Sequence, residues 1–269
     1  MSMANFNLHE LMSFFAVLVR LSILFSVIPF IGDRLVPSQI KVFLALTLSI
    51  ALFPALKAQG AIQVIEAAKW DGTVGGIAST VAWETVFGLG LGYVARLIFD
   101  GVAIGANLVG NFMGFSTASV YDPHQESQTE VIAHIQTTLA MLLFLAVDGH
   151  HLMIRTLLES YKIVGIGHIG FNAMLSQKII QMTGEVFKFG VQMAAPMAIG
   201  LFTVNLIFGI MSKAVPQLNI LVLSFAVNTL VGFSILFISL WESQDALNSM
   251  FGRMGEWLKM TMILSGGGG

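Results

Sequence analysis

Asp148, Gly149, His150 and His151 form the densest cluster of groups able to bind a metal or move a proton. Carboxylates and imidazoles are ligands for zinc and its neighbours, and imidazole changes charge near neutral pH. Adjacent histidines point about 100° apart on a helix, however, and no HExxH spacing occurs anywhere in the chain. The cluster therefore predicts a helix end or kink with interfacial polar groups, and no metal site. Glu130 and His134 stand one turn apart on one helix face and predict a local hydrogen-bonded pair. Arg20, Glu84, Lys188 and Lys213 lie inside or at the edges of apolar runs. A charge at the centre of a membrane costs about 2.5–3.5 kcal/mol on insertion scales, so each should face a bundle interior, a water path or a partner. Interhelical pairing or snorkelling at a helix end is the plainer role, and a proton relay is the sharper one. No GxSxG nucleophile elbow and no GxxxxGK[ST] phosphate loop is present. With no cysteine, disulfides, thiolate metal sites and thiol nucleophiles are excluded. The residues thus predict no catalytic group, no metal and no cofactor.

The elements that carry these residues are read from composition. Of 269 residues, 56% are hydrophobic and only 10% are charged, 13 Lys and Arg against 15 Asp and Glu, and the mean hydropathy is +0.83. Soluble domains carry about 25% charged residues. A water-facing surface cannot be built from so few, which disfavours a soluble enzyme, a disordered chain and a nucleic-acid binder. No charge occurs from Gly101 to Tyr121, from Val131 to Val147, from Phe189 to Ser212 or from Ala214 to Trp241. A membrane helix needs about 20 apolar residues. These runs, with shorter ones before Gly32, from Val42 to Leu56 and from Ile77 to Leu97, predict six to eight helices. Stretches such as Leu139 to Leu145 are continuously apolar, without the period of two that marks a barrel strand, so the fold class is all-α membrane protein. Met1 to Glu10 lacks a basic start and a small-residue cleavage site, which makes the first run a retained helix.

Glycine and the connectors supply the remaining organisation. Gly88 and Gly92, then Gly101 and Gly105, form a small-residue ladder that lets helices approach closely. The run after Gly101 is rich enough in glycine to be broken. Within it, GNFMGFSTASVYDP from Gly110 to Pro123 places Gly110 and Gly114 around Phe112, Met113 and Phe115, followed by Ser116, Tyr121 and the turn signal Asp122-Pro123. Non-helical backbone at membrane depth is tolerated only inside protein or along a cavity, and a flexible loop with bulky apolar tips would make a plug. The glycine-rich connector Ile163 to Gln177 predicts a boundary between residues 1–170 and 171–265. From Trp241 onward Leu247, Met250, Phe251, Met254, Trp257 and Leu258 step by three and four, an amphipathic tail. Residues 266–269 read as a disordered end or a cloning remnant. Lys and Arg are spread over most connectors, so the positive-inside rule assigns no orientation.

Several short motifs occur together in one order. Leu18-Val19-Arg20, Pro29-Phe30-Ile31-Gly32, Pro37 and Pro54 come first. Glu84 with Gly88 and Gly92, Met113-Gly114-Phe115-Ser116, Asp122-Pro123 and Gly149-His150 follow. Ala195-Pro196, Asn205, Gly209 and Pro216-Gln217-Leu218-Asn219 complete the set. From about residue 18 to about 225 the chain resembles the FliR/SctT family of type III secretion export-gate subunits. Gly149-His150 matches with Asp148 in place of Asn, and two departures are Lys213 where the family usually has Arg, Lys lacking the bidentate fork of Arg, and Ala226-Val227 after Phe225 where it often has a proline. The resemblance implies a subunit that joins FliP and FliQ as one copy in a closed helical assembly, a FliP-like part being fused to a FliQ-like hairpin. It further implies a pore for unfolded export substrates, FlhB at the cytoplasmic entrance, a place in the bacterial inner membrane, and Gly110 to Pro123 as the plug loop. Pro196, Asn205, Lys213, Pro216, Gln217 and Asn219 then belong to helix packing and assembly, with Gln217 and Asn219 expected to be buried and hydrogen-bonded across helices. The residues leave a second reading open, a self-contained secondary transporter of protons or small solutes using Glu84, Lys188, Asp148 and His150.

Overall fold

The computed structural model describes residues 8–29, 31–32, 36–62, 74–115, 129–167, 170, 172–217 and 219–266. Among them are seven α-helices and no strand: α1 (Leu8–Val27), α2 (Ser38–Ala58), α3 (Val74–Phe112), α4 (Thr129–Ala146), α5 (Gly149–Ile163), α6 (Ala173–Ala214) and α7 (Ile220–Gly266). Five stretches are long and apolar enough to cross a bilayer: α1, α2, α3, α6 and Val222–Ser239 of α7. Helices α4 and α5, bent by 65° at their junction, would make a sixth as one broken span. The fold is all-α, as the continuous apolar runs require: in hydrocarbon, a helix satisfies its backbone groups within itself.

Helices α3, α6 and α7 hold 39, 42 and 47 residues. At about 1.5 Å per residue they run for roughly 60 to 70 Å, about twice the thickness of a hydrocarbon core. The sequence reading divided them wherever charge appeared, and the structure does not. The run after Gly101 was expected to be broken. Instead α3 passes unbroken through Gly101, Gly105 and Gly110, and the backbone turns only at Gly114, whose φ is +88°. Glycine costs a helix about 1 kcal/mol relative to alanine, and here close packing on α6 outweighs that cost.

The chain divides into two compact units, one formed by Met1–Arg96, Asp148–Met182 and Gly252–Gly269, the other by Leu97–Val147 and Thr183–Phe251. In the first unit Phe14 of α1 meets Phe53 of α2 edge to face, their centroids 5.6 Å apart. The end of α7 is pinned by the connector after α5: the Gly170 N–H donates to the Ser265 carbonyl at 2.8 Å, and Asn172 Nδ2 donates to the Leu264 carbonyl at 3.1 Å. Asn172 Oδ1 also accepts from the Leu175 N–H at 2.7 Å and so caps α6. Gly266, expected at the start of a disordered end, is the last residue of α7; a Cβ there would lie 2.7 Å from the Ile163 carbonyl oxygen.

In the second unit Phe99, Phe144 and Phe251 form a cluster of three rings, with centroids 5.4 to 5.7 Å apart. Its other apolar centre joins Val109, Met113, Ile132, Ala194, Met197, Leu201 and Leu236. Of the six residues expected on the apolar face of the tail, Leu247, Met250 and Phe251 are buried in this unit and Met254, Trp257 and Leu258 in the first.

Candidate functional site

Among the described residues Arg20 is the largest fully buried side chain, and it stands in the middle of α1 between Val19 and Leu21. Gly88 makes room for its partner: a Cβ there would come within 3.1 Å of the Arg20 carbonyl oxygen, so α1 and α3 nearly touch one turn from Glu84. The guanidinium grips the carboxylate with two bonds, Nε to Oε2 at 2.5 Å and Nη2 to Oε1 at 3.0 Å. Its Nη1 donates to Ser160 Oγ of α5 at 3.0 Å and Nη2 to the Gly165 carbonyl at 3.4 Å. Glu84 Oε1 accepts a further bond from the Gly167 N–H at 2.9 Å, where a φ of +76° turns the chain back. The rings of Phe87 and Tyr161 lie 4.7 and 4.1 Å from the guanidinium carbon and cover it. A cation over an aromatic face gains about 2 kcal/mol when desolvated. Both charges are thus neutralised, and the network ties α1, α3, α5 and the connector 164–167 together. Chemically it is a fixed crosslink: Glu84 is 1% exposed, and both its oxygens are engaged.

The junction of α4 and α5 is the second polar site. Asp148 has left-handed backbone at φ 57° and ψ 28°, the sole non-glycine residue with positive φ among those described. This is the predicted kink, and it produces the bend of 65°. His151 Nδ1 lies 3.0 Å from Asp148 Oδ1, and the rings of His150 and His151 are 4.2 Å apart. One ligand atom from each of the three residues falls within 4.8 Å of the others. The expectation that adjacent histidines diverge fails because the rings swing toward each other from the first turn of α5. No fourth histidine or carboxylate joins the group among the described residues. Of the Glu130 and His134 pair, the side chain of Glu130 lies outside the described residues.

The root of the expected plug belongs to the second unit. Gly110 and Phe112 end α3, and the Gly114 N–H donates to the Asn111 carbonyl at 3.1 Å. Met113, expected among the bulky tips, is instead completely buried in the apolar centre of this unit, because its unbranched side chain fills the space above Gly232. Phe115 packs edge to face on Phe225 at 5.7 Å. Ser116, Tyr121, Asp122 and Pro123 lie outside the described residues.

The glycine ladder serves two different helices. A Cβ at Gly92 would lie 2.7 Å from Val27 Cβ on α1, whereas one at Gly105 would lie 2.7 Å from the Gly190 carbonyl oxygen on α6. Gly190 was not singled out from the sequence, although a glycine in an apolar run was a signal for it. Pro196, Asn205, Lys213, Pro216, Gln217 and Asn219 are all exposed, as is Lys188. In the single chain Gln217 and Asn219 are not buried against another helix; Asn219 Oδ1 accepts from the Val222 N–H at 3.4 Å and caps its own helix α7. Asn205 Oδ1 accepts from Asn228 Nδ2 at 2.6 Å and links α6 to α7.

Helices of spanning length, with two opposite charges buried only because they neutralise each other, define the class: a polytopic all-α membrane protein. Within that class, residues 11–254 match the model for bacterial export proteins, family 1, and the chain belongs to that family. It is similar to the flagellar biosynthetic protein FliR of Escherichia coli strain K12, 29% identical over 223 residues that cover 83% of this chain and 82% of that protein. The FliR proteins of Bacillus subtilis strain 168 and Aquifex aeolicus strain VF5 are each 26% identical. The first match covers 94% of this chain and 96% of the relative, the second 88% and 86%. The chain is a membrane component of a flagellar protein export apparatus.

Proposed function

We propose that this chain is a non-enzymatic subunit of the flagellar type III export gate in the bacterial inner membrane. It joins FliP and FliQ as one copy in a helical channel for unfolded substrates, with FlhB at the cytoplasmic entrance. Residues 1–170 form its FliP-like part and 171–265 its FliQ-like hairpin. The observation that carries this reading is the family match over residues 11–254. Apolar side chains left uncovered on α6 and α7, such as Phe202, Ile210, Phe237 and Ile238, suit a surface that lipid or neighbouring helices complete. Lys213, Pro216, Gln217 and Asn219, exposed between those helices, are the polar groups that would set register against other subunits. Of the four residues that the alternative, a self-contained transporter of protons or small solutes, would use, Glu84 has both oxygens engaged by Arg20 and the Gly167 N–H, which favours a structural role for it.

The loop from Gly110 to Pro123 helps close the pore. Deleting Gly114 to Val120 in the assembled complex is expected to raise its ion conductance in planar bilayers. Unchanged conductance would remove the plug from this account.

A further inference from the structure

We infer that Asp148, His150 and His151 form a site for one divalent transition-metal ion such as zinc; the export-gate reading neither requires nor supplies it. Adjacent histidines led the sequence to predict no metal, because side chains one residue apart leave a regular helix about 100° apart. The structure removes that objection. His150 and His151 stand in the first turn of α5 with ring centroids 4.2 Å apart. One donor atom from each, with one carboxylate oxygen of Asp148, falls within 4.8 Å of the other two. Ligands bound at about 2.0–2.2 Å stand about 3 to 4 Å from one another around a single ion. His151 Nδ1 and Asp148 Oδ1, 3.0 Å apart, already meet that spacing. The Asp148 and His151 side chains, 73% and 60% exposed, have room to turn through the remainder.

Asp148 and His150 both lack the partners such groups ordinarily have. An aspartate at a helix start usually accepts a bond from the N–H two or three residues on. Asp148 makes no such bond, and its carboxylate meets His151 instead. The Nδ1 of His150 is buried and has no partner among the described residues. A buried polar atom left without a partner is costly, and a bound ion would give that ring one. Two imidazoles and a carboxylate suit zinc, nickel or copper, whereas calcium and magnesium ask for a larger set of oxygens. Three protein ligands leave a position to water, which reaches the site through its exposed side. The partial positive charge at the start of α5 works against a cation, and the Asp148 carboxylate offsets it. The ion would tie Asp148 to the first turn of α5 and hold the left-handed turn in place.

Zinc titration of the full chain, purified in detergent through a tag without histidine, tests the site by calorimetry and by melting temperature. One equivalent is expected to bind and to raise the melting temperature. Asp148→Asn keeps the size of the side chain and suits left-handed backbone. His151→Gln changes a side chain that is largely exposed. Both variants should therefore melt like wild type in the presence of a chelator. Each is expected to weaken zinc binding by at least about tenfold and to abolish the thermal shift. His134→Gln, at an exposed position of α4, should bind as wild type does. Absence of saturable binding by wild type overturns the site. Equal binding by wild type and both variants, or an equal loss in His134→Gln, means an adventitious ion only and overturns it too. Should one variant melt early in chelator, the other decides.

Discussion

A buried arginine is stable in an apolar helix only with a full set of acceptors, and Arg20 has them in Glu84, Ser160 and the Gly165 carbonyl. Such a pair adds little net stability over well-packed apolar side chains, whereas removing one member leaves a bare charge and costs about 3–5 kcal/mol. Arg20→Met is therefore expected to lower the melting temperature of the detergent-purified chain markedly. Arg20→Met/Glu84→Leu should recover most of the loss. A double variant as unstable as the single one would mean that the pair does more than neutralise itself. Arg20 and Glu84 were each conspicuous in the sequence as charges inside apolar runs, and pairing was the plain reading of both. Their remaining partners were not legible, because Ser160 lies 140 positions from Arg20, and nothing local to Phe87 or Tyr161 marks either ring as its cover. The left-handed turn at Asp148 was legible as a kink, since Asp-Gly followed by polar residues interrupts an apolar run. The meeting of the two imidazole rings was not, because it depends on rotamers.

At the scale of elements, the helices pack where side chains are missing. A methyl on Gly105 would meet the Gly190 carbonyl oxygen at 2.7 Å, and one on Gly190 would meet the Gly101 carbonyl oxygen at 2.5 Å. Both obstacles are backbone, which cannot rotate away, so either alanine must push α3 and α6 apart at a cost of about 1–3 kcal/mol. Gly184, on α6 as well, has open space at its Cβ position. Gly184→Ala should leave stability unchanged or raise it by up to about 1 kcal/mol through helix propensity. Thermal melts of the three variants separate the cases, and equal destabilisation by all three would contradict close packing as the role of Gly105 and Gly190. The ladder was visible in the sequence, but not the division of labour within it, because spacing on one helix does not say which neighbour approaches. Helix ends were misjudged for a related reason. Charge served as a divider, yet Gln177, Lys178, Gln181, Glu185 and Lys188 are good helix formers, and α6 runs straight through them.

For the whole molecule, composition already decided the solvent: with 10% charged residues, most of its surface must be covered by something other than water. Phe237 and Ile238 of α7, each 76% exposed, show how much is left uncovered. Which surroundings provide that cover was not legible, because lipid and a partner helix ask for the same side chains. Only the ordered set of short motifs pointed to a particular family, and the match over residues 11–254 agrees with that family. Gln217 and Asn219, which the sequence placed in a buried interface, are exposed in the single chain. Native mass spectrometry tests the proposed assembly most directly, on this chain co-expressed with the FliP and FliQ of the same organism and purified through a tag on this chain alone. A single complex holding one copy of this chain and several copies of each partner is the expected result. A lone monomer or a homo-oligomer, with both partners well expressed yet absent from it, would contradict the export-gate account.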